Sequence, residues 1–308
     1  MTREPLLIVG TGAMACLFGA RLAPVAETTL LGSWPEGLAA LRAHGIELEE
    51  GGRRRTAVVR AVARPEECVG ARLAIVLVKS WQTAAVARQL ETCLAPDGMA
   101  LTLQNGLGNL ECLQERLGKE RAALGVTTLG ATLLAPGRVR AGGDGATYLT
   151  AHSRLEALAN LLRRAGLTVE TIEEVDGLAW GKLVVNAAIN PVTALLRVPN
   201  GELLNAARAG AWEVGREAAA EVAAVAAARG VCLPFAGAAA QVAEVARRTA
   251  ANRSSMLQDV ERGRPTEIDA INGAVVSEGE RLGIPTPVNR ILWKLVRSLA
   301  PVPEGVEG

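Results

Sequence analysis

The sequence predicts two folded parts: a doubly wound α/β unit over residues 1–174, then an all-α unit over residues 175–308. Three observations predict it. Short apolar runs alternate with helical stretches through the first hundred residues. A glycine-rich turn follows the first of those runs. From Val175 onward strand-like alternation gives way to Ala, Leu, Val, Arg and Glu at helical spacing. A length of 308 residues also suits two domains better than one or three.

Leu6-Leu7-Ile8-Val9 is a continuous apolar run, as expected of a parallel strand buried on both faces. Thr29-Leu30-Leu31, Leu73 to Val78 and Met99 to Leu103 are further runs of this kind. Helical patterns lie between them at roughly 13–23, 36–44, 81–94 and 109–117. Residues 124–150, rich in Thr, Gly and Val, suggest later strands with antiparallel pairing. The second unit is entered through a helix beginning near Val175-Asp176, with Asp176 or a neighbour as N-cap. Gly201, Gly230, Gly263 and Gly283 punctuate the rest of that unit.

Lys and Arg total 33 against 32 for Asp and Glu, a net charge of +1. No basic field offers itself to a nucleic-acid backbone, and no polybasic tail to a membrane surface. The longest apolar runs fall well short of a spanning helix. The first residues lead into a strand without the shape of a signal peptide, so a cytoplasmic globular protein is expected. Five scattered cysteines with no C-x-x-C pair argue against a disulfide framework and against zinc, and suggest small buried apolar residues. His44 and His152 are the only histidines, each at a helix boundary where a structural role suffices. No metal site is expected.

Gly10-Thr11-Gly12-Ala13-Met14-Ala15 sets G-x-G-x-x-A directly after the first strand and before a helix. Gly10 permits the tight turn, Gly12 lets the backbone approach a pyrophosphate, and Ala15 keeps helix and strand close. In that context the motif is a Rossmann-type dinucleotide site. A merely tight strand–helix turn would look similar. The end of the second strand, Leu31-Gly32-Ser33-Trp34, carries neither the acid that holds an NAD ribose nor an arginine for a 2′-phosphate. Residue chemistry leaves the choice of cofactor open.

A nicotinamide-dependent reduction needs a proton donor as hydride reaches a carbonyl. Histidine chemistry fits badly, and the only tyrosine, Tyr148, has His152 where a Tyr-x-x-x-Lys pair needs lysine. Lysine remains: four (Lys79, Lys119, Lys182, Lys294) against 29 arginines. Arginine does not readily give up a proton, so a retained lysine can mark a titratable amine. Lys119 and Lys294 read as solvated surface charges. Lys182, Asn186 and Asn190 recur every four residues, sharing one helix face with a drift of about 40° per step. The residues between them are mainly apolar, and a polar ladder inside such a helix needs partners. A hydroxy- and carboxylate-bearing substrate would supply them; a ligand-free buried network would look the same. Lys79 and Asn105 follow the central strands, where ligands of open α/β sheets bind. Two polar segments, Asn252 to Asp259 and Thr266 to Gly273, stand out in the apolar second unit. Ser254 or Ser255 could simply cap a helix, and Glu267 could simply pair with Arg264.

Taken in order, these residues resemble the ketopantoate reductases (2-dehydropantoate 2-reductases). The likeness rests on Gly10 to Met14, Lys79, Asn105-Gly106, Lys182 to Ala194, Pro199-Asn200-Gly201-Glu202-Leu203, Ser254 to Asp259 and Thr266 to Gly273. It implies NADPH-dependent reduction of 2-dehydropantoate to D-pantoate in pantothenate biosynthesis. Lys182 would donate the proton, with Asn105 and Glu267 positioning the carbonyl and the nicotinamide ribose. Asn186 and Asn190 would meet the substrate's hydroxyl tail, Ser255 its carboxylate, and Asn200 a flanking hydrogen bond. Lys79 and Ala131 would lie on the cofactor side with Gly10, Thr11, Gly12, Ala13, Met14 and Ala15. One departure stands out: Ser33 occupies a position where the family commonly has arginine, which admits NADH. A homodimer is the candidate assembly. Two other readings compete: a reductase of another small 2-oxo acid with the same architecture, and a dinucleotide sensor without turnover. Lys182 and Glu267 together favour the enzymes.

Overall fold

Apolar runs too short for helices and flanked by turn residues pair into a sheet, and the helices between them cover its faces. The computed structural model describes residues 4–299. In chain order the first part holds β1 (Glu4–Val9), α1 (Ala13–Leu22), β2 (Ala26–Leu31), α2 (Pro35–His44), β3 (Ile46–Glu50), β4 (Arg53–Ala57) and β5 (Arg60–Val62). Then come β6 (Ala71–Val76), α3 (Thr83–Cys93), β7 (Leu94–Thr102), α4 (Asn109–Leu117), β8 (Ala122–Thr127), β9 (Ala131–Ala135), β10 (Arg138–Ala141), β11 (Ala146–Thr150), α5 (Glu156–Arg164) and β12 (Thr168–Ile172). The helical part is α6 (Asp176–Leu196), α7 (Ala209–Ala228), α8 (Ala238–Arg248), α9 (Ser255–Glu261), α10 (Ala274–Leu282) and α11 (Pro287–Arg297).

The main sheet has eight strands in the order β12-β11-β8-β7-β6-β1-β2-β5. Its run from β5 to β8 is wholly parallel. The Rossmann-type α/β unit and the all-α unit expected from sequence are both present. The antiparallel pairing expected over 124–150 is present in β8–β11 and β9–β10, while β8 also pairs parallel with β7, β10 with β3 and β11 with β12. β9 and β10, which fall in the expected strands of 124–150, join β3 and β4, which the sequence does not announce, in a second sheet of order β4-β3-β10-β9. Ile46 and Leu48 bury one face of β3, while Glu47 and Glu49 meet Arg138 and Arg140 of β10 at 2.9 and 2.8 Å on the other.

The described residues pack as two units, 4–104 with 109–175 and 105–108 with 176–299. Where the sequence reading divides the chain once, packing adds an excursion at 105–108. In the second unit α6 is the central helix, contacted by α7, α8, α9 and α11. Its Leu183, Val184, Ala187 and Ala188 lie in the core. Among the described residues no helix is long and apolar enough to cross a membrane. The five cysteines are free: Cys16 and Cys93 are buried, Cys68 and Cys112 half-buried, and Cys232 exposed.

Candidate active site

In the first unit the glycine turn is stitched between strand ends. Gly10 N–H donates to Leu31 O at 2.7 Å, and Leu77 N–H donates to Val9 O at 2.9 Å. Gly10 has φ 131°, and a Cβ there would sit 3.1 Å from Leu77 O, so no other residue suits this position. Gly12 is the N-cap of α1 and supplies no side-chain cap. A Cβ on Gly12 would meet nothing within 4 Å. There is thus open space beside Gly12, at the start of a helix whose first-turn N–H groups, those of Ala13, Met14 and Ala15, have no intrahelical acceptor. That arrangement fits a dinucleotide diphosphate. Thr11 is buried against Gly32, where a Cβ would come within 2.6 Å of its Cγ2. Exposed Ser33 is thereby set beside the turn.

Lys79 is half-buried three residues beyond β6, and its N–H donates to Gln82 Oε1 at 3.3 Å. Gln104, after β7, donates through its amide to Val78 O at 3.1 Å and Thr83 Oγ1 at 2.8 Å. Thr83 Oγ1 lies 2.8 Å from Asn109 Oδ1. The turns after β6 and β7 are thus tied together by Thr83, Gln104 and Asn109, which the sequence reading passed over. Their signal was only the polar residues just past two apolar runs. Ala131 opens β9 and packs with Ala13 and Met14 against one core.

In the second unit Lys182, Glu267 and Asn105 come together. Asn105 Nδ2 donates to Glu267 Oε2 at 3.2 Å, and Glu267 is only 5% exposed. The short excursion that carries Asn105 is docked by Leu107 N–H, which donates to Ala270 O at 2.9 Å. Gly106, at φ 83°, would bring a Cβ to 2.4 Å from that same oxygen. Burial pushes the Lys182 ammonium down to about 8, opposed by the Glu267 carboxylate. An amine so tuned holds its proton at neutral pH and can give it up to a developing alkoxide.

Asn186 and Asn190 follow Lys182 along α6, half-buried and buried. Neither has a side-chain hydrogen bond among the described residues. Two serines that sequence could not separate are now distinct. Ser254 caps α9, accepting from Leu257 N–H at 3.1 Å, and meets Thr193 Oγ1 at 2.8 Å. Ser255 is left exposed. Asn200 donates to Thr249 Oγ1 at 3.0 Å, while its Oδ1 is buried without a partner among the described residues. His152 accepts from Arg154 N–H at the turn before α5, a structural cap.

Residues 6–154 match the family model "Ketopantoate reductase PanE/ApbA", and residues 174–300 match its C-terminal counterpart. The 2-dehydropantoate 2-reductase of Archaeoglobus fulgidus is 39% identical over 304 residues, covering 97% of this chain and 99% of that protein. A ketopantoate reductase of the PanE/ApbA family from Ralstonia eutropha JMP134 superimposes with a TM-score of 0.89 at 35% identity, over 96% of this chain and 98% of that one. D-mandelate dehydrogenase, solved with NADH and anilino(oxo)acetate, also reaches 0.89, at 27% identity over 96% and 98%. The glycine turn, the lysine-bearing central helix and these likenesses along nearly the whole chain place it in the ketopantoate reductase family.

Proposed function

We propose that the chain reduces the C2 carbonyl of 2-dehydropantoate to D-pantoate, with Lys182 as proton donor and NADPH as preferred dinucleotide. The observation that carries the reading is the group formed by half-buried Lys182 and Asn105 with buried Glu267 in a chain of this family. The dinucleotide, held by residues 10–15 with Ser33, Lys79 and Ala131, supplies the hydride when bound. Lys182 protonates the carbonyl oxygen as negative charge develops there, and its pKa near 8 leaves most molecules protonated at pH 7. Glu267 keeps the ammonium charged, and Asn105 orients Glu267 through the 3.2 Å bond. Asn186 and Asn190, with uncommitted amides, meet the hydroxyl tail; Ser255 meets the carboxylate; Asn200 offers its buried Oδ1 to a donor.

The likeness to D-mandelate dehydrogenase supports a second reading, in which the 2-oxo acid carries an aromatic group on its carbonyl carbon and NADH serves. Following absorbance at 340 nm with 2-dehydropantoate, 2-oxoisovalerate and phenylglyoxylate, each with NADPH and NADH, separates the two. The first reading expects the highest kcat/KM for 2-dehydropantoate. A higher value for phenylglyoxylate would transfer the conclusion to the second, and no oxidation with any acid would sink both. The reading also takes the enzyme as cytoplasmic and homodimeric, and sedimentation of the purified protein checks the assembly.

A further inference from the structure

Pro191 lies inside α6, one residue beyond Asn190. Proline has no N–H, so the carbonyl four residues back, that of Ala187, loses its helical donor. Ala187 is fully buried, where a bare carbonyl is costly. Asn272 supplies the missing bond: its Nδ2 donates to Ala187 O at 3.0 Å. The same amide nitrogen donates to Asn289 Oδ1 at 2.9 Å. Asn289 Nδ2 in turn donates to Ala218 O at 3.0 Å and Glu221 Oε2 at 2.7 Å. Glu221 also accepts the N–H groups of Val288 and Asn289, each at 2.9 Å, in the first turn of α11. Asn272 and Asn289 are both 0% exposed. The Asn272 amide is therefore aimed by a chain of bonds anchored on α7 and α11.

What this amide joins matters for the chemistry. Ala187 falls between Asn186 and Asn190 in the chain, on the core-facing side of α6 next to the polar ladder. Asn272 belongs to a π-helical turn, Asp269–Gly273, and such turns are frequent at functional sites. That turn grows from Glu267: Ile271 N–H donates to Glu267 O and Gly273 N–H to Ile268 O, both at 3.0 Å. It also holds the Asn105 excursion through Ala270 O. One side chain thus pins the proline-interrupted ladder to the turn that presents Glu267.

We infer that Asn272 is a positioning residue: it replaces the hydrogen bond that Pro191 removes and so sets Glu267 against Lys182 and the Asn186–Asn190 ladder. The inference rests on the reading of these residues as the reducing site. Its structural half can be tested without activity, by a cycle of Asn272→Ala, Pro191→Ala and the double variant in urea unfolding of the full chain. Asn272→Ala alone lowers the folding equilibrium constant by about tenfold or more, since a buried carbonyl is left bare. In the Pro191→Ala background residue 191 again donates to Ala187 O, and the same change costs about tenfold less. Additive penalties overturn the replacement.

The positioning half is read in the pH dependence of kcat with the acid the wild type turns over best. Glu267 is the charged group that acts on Lys182 among the described residues and favours its protonated form. Loosening it by Asn272→Ala shifts the high-pH fall of kcat to lower pH and lowers kcat about tenfold. The double variant recovers part of both. A folded Asn272→Ala enzyme with wild-type kcat and an unmoved fall overturns the inference. Should that variant fail to fold, Asn289→Ala, which frees the Asn272 amide on one side, is expected to move the fall the same way; no movement overturns it too. A wild type that reduces no 2-oxo acid refutes the catalytic reading and this role together, while the unfolding cycle still decides the Pro191–Asn272 bond.

Discussion

The two units carry their chemistry in different parts of the polypeptide. In the first, the backbone does it: a turn that only Gly10 can make, an uncapped helix start at Gly12, and open space above it. In the second, side chains from α6, from the turn after Thr266 and from the 105–108 excursion converge, and Lys182 is tuned by burial and by Glu267. Backbone chemistry is local and survives most side-chain changes. Side-chain chemistry depends on where distant segments dock. The two units should therefore fail in different ways when single residues are changed.

The largest effect expected is at Lys182. On the proposed reading Lys182→Ala lowers kcat by roughly 10²–10⁴-fold, the usual contribution of a positioned general acid. Dinucleotide affinity, followed by quenching of protein fluorescence, should stay near wild type. The donating form is the ammonium, so wild-type kcat should fall as pH rises through about 8, and that fall should be missing from the variant. A Lys182→Ala enzyme with wild-type kcat would remove the lysine from the chemistry.

Gly12→Val inverts the pattern. Its Cβ meets no protein atom within 4 Å, so the fold should tolerate it at the cost of a poorer N-cap, about 0.5–1 kcal/mol. On the proposed reading the space it fills is where the diphosphate approaches, and the dinucleotide Kd should rise about tenfold or more. Titration by fluorescence and thermal unfolding of the same sample check both halves. An unchanged Kd would mean that the phosphates do not lie over Gly12.

The contrast also explains what could be read from sequence. The parallel strands, the glycine turn and the helices of the first unit are written in local spacing, and they were legible. β3 does not stand out because Ile46-Glu47-Leu48-Glu49 alternates with too few apolar residues, and the partners of its charges, Arg54 on β4 and Arg138 and Arg140 on β10, come from other strands. Lys182 stands out in sequence because lysine is scarce and Asn186 and Asn190 repeat its face; that Glu267 acts on it is visible only in the fold, and its part in the chemistry rests on the proposed reading. Ser254 and Ser255 were not separable, since which of them caps α9 depends on Thr193, 61 residues away from Ser254. The role of Asn272 lay further out of reach. The proline that creates its task is in another helix, and the bond to Ala187 spans 85 residues.

A middle-sized effect tests the ladder on the side-chain half of the comparison. Asn190→Ala should raise KM for 2-dehydropantoate by about five- to tenfold, the worth of one hydrogen bond near 1 kcal/mol. For a 2-oxo acid lacking the terminal hydroxyl KM should scarcely move. Equal losses with both substrates would make Asn190 a packing residue.

The smallest effect sits where the two kinds of chemistry meet, a side chain beside a backbone site. Ser33 is exposed at the end of β2 and can give a 2′-phosphate one neutral hydrogen bond. A guanidinium would give a charge-assisted and often bidentate one. Neighbouring cations are already engaged: Arg42 Nε donates to Ala61 O at 2.9 Å, and Arg64 pairs with Glu67 at 3.6 Å. Hydrogen bonds from the backbone of Arg64 and Ala63, with the charges of Arg64 and Arg42, hold the Glu67 carboxyl below its usual range, so it stays an anion near neutral pH. A 2′-phosphate therefore gains little here, and the wild-type preference for NADPH over NADH should be within about tenfold. Ser33→Arg should raise the NADPH-to-NADH ratio of kcat/KM, and of affinity, by a further five- to tenfold or so at fixed ionic strength. A wild-type ratio below one would overturn NADPH as the preferred cofactor. An unchanged ratio in the variant would show that position 33 does not face the ribose, leaving the glycine turn alone to hold the dinucleotide on that side.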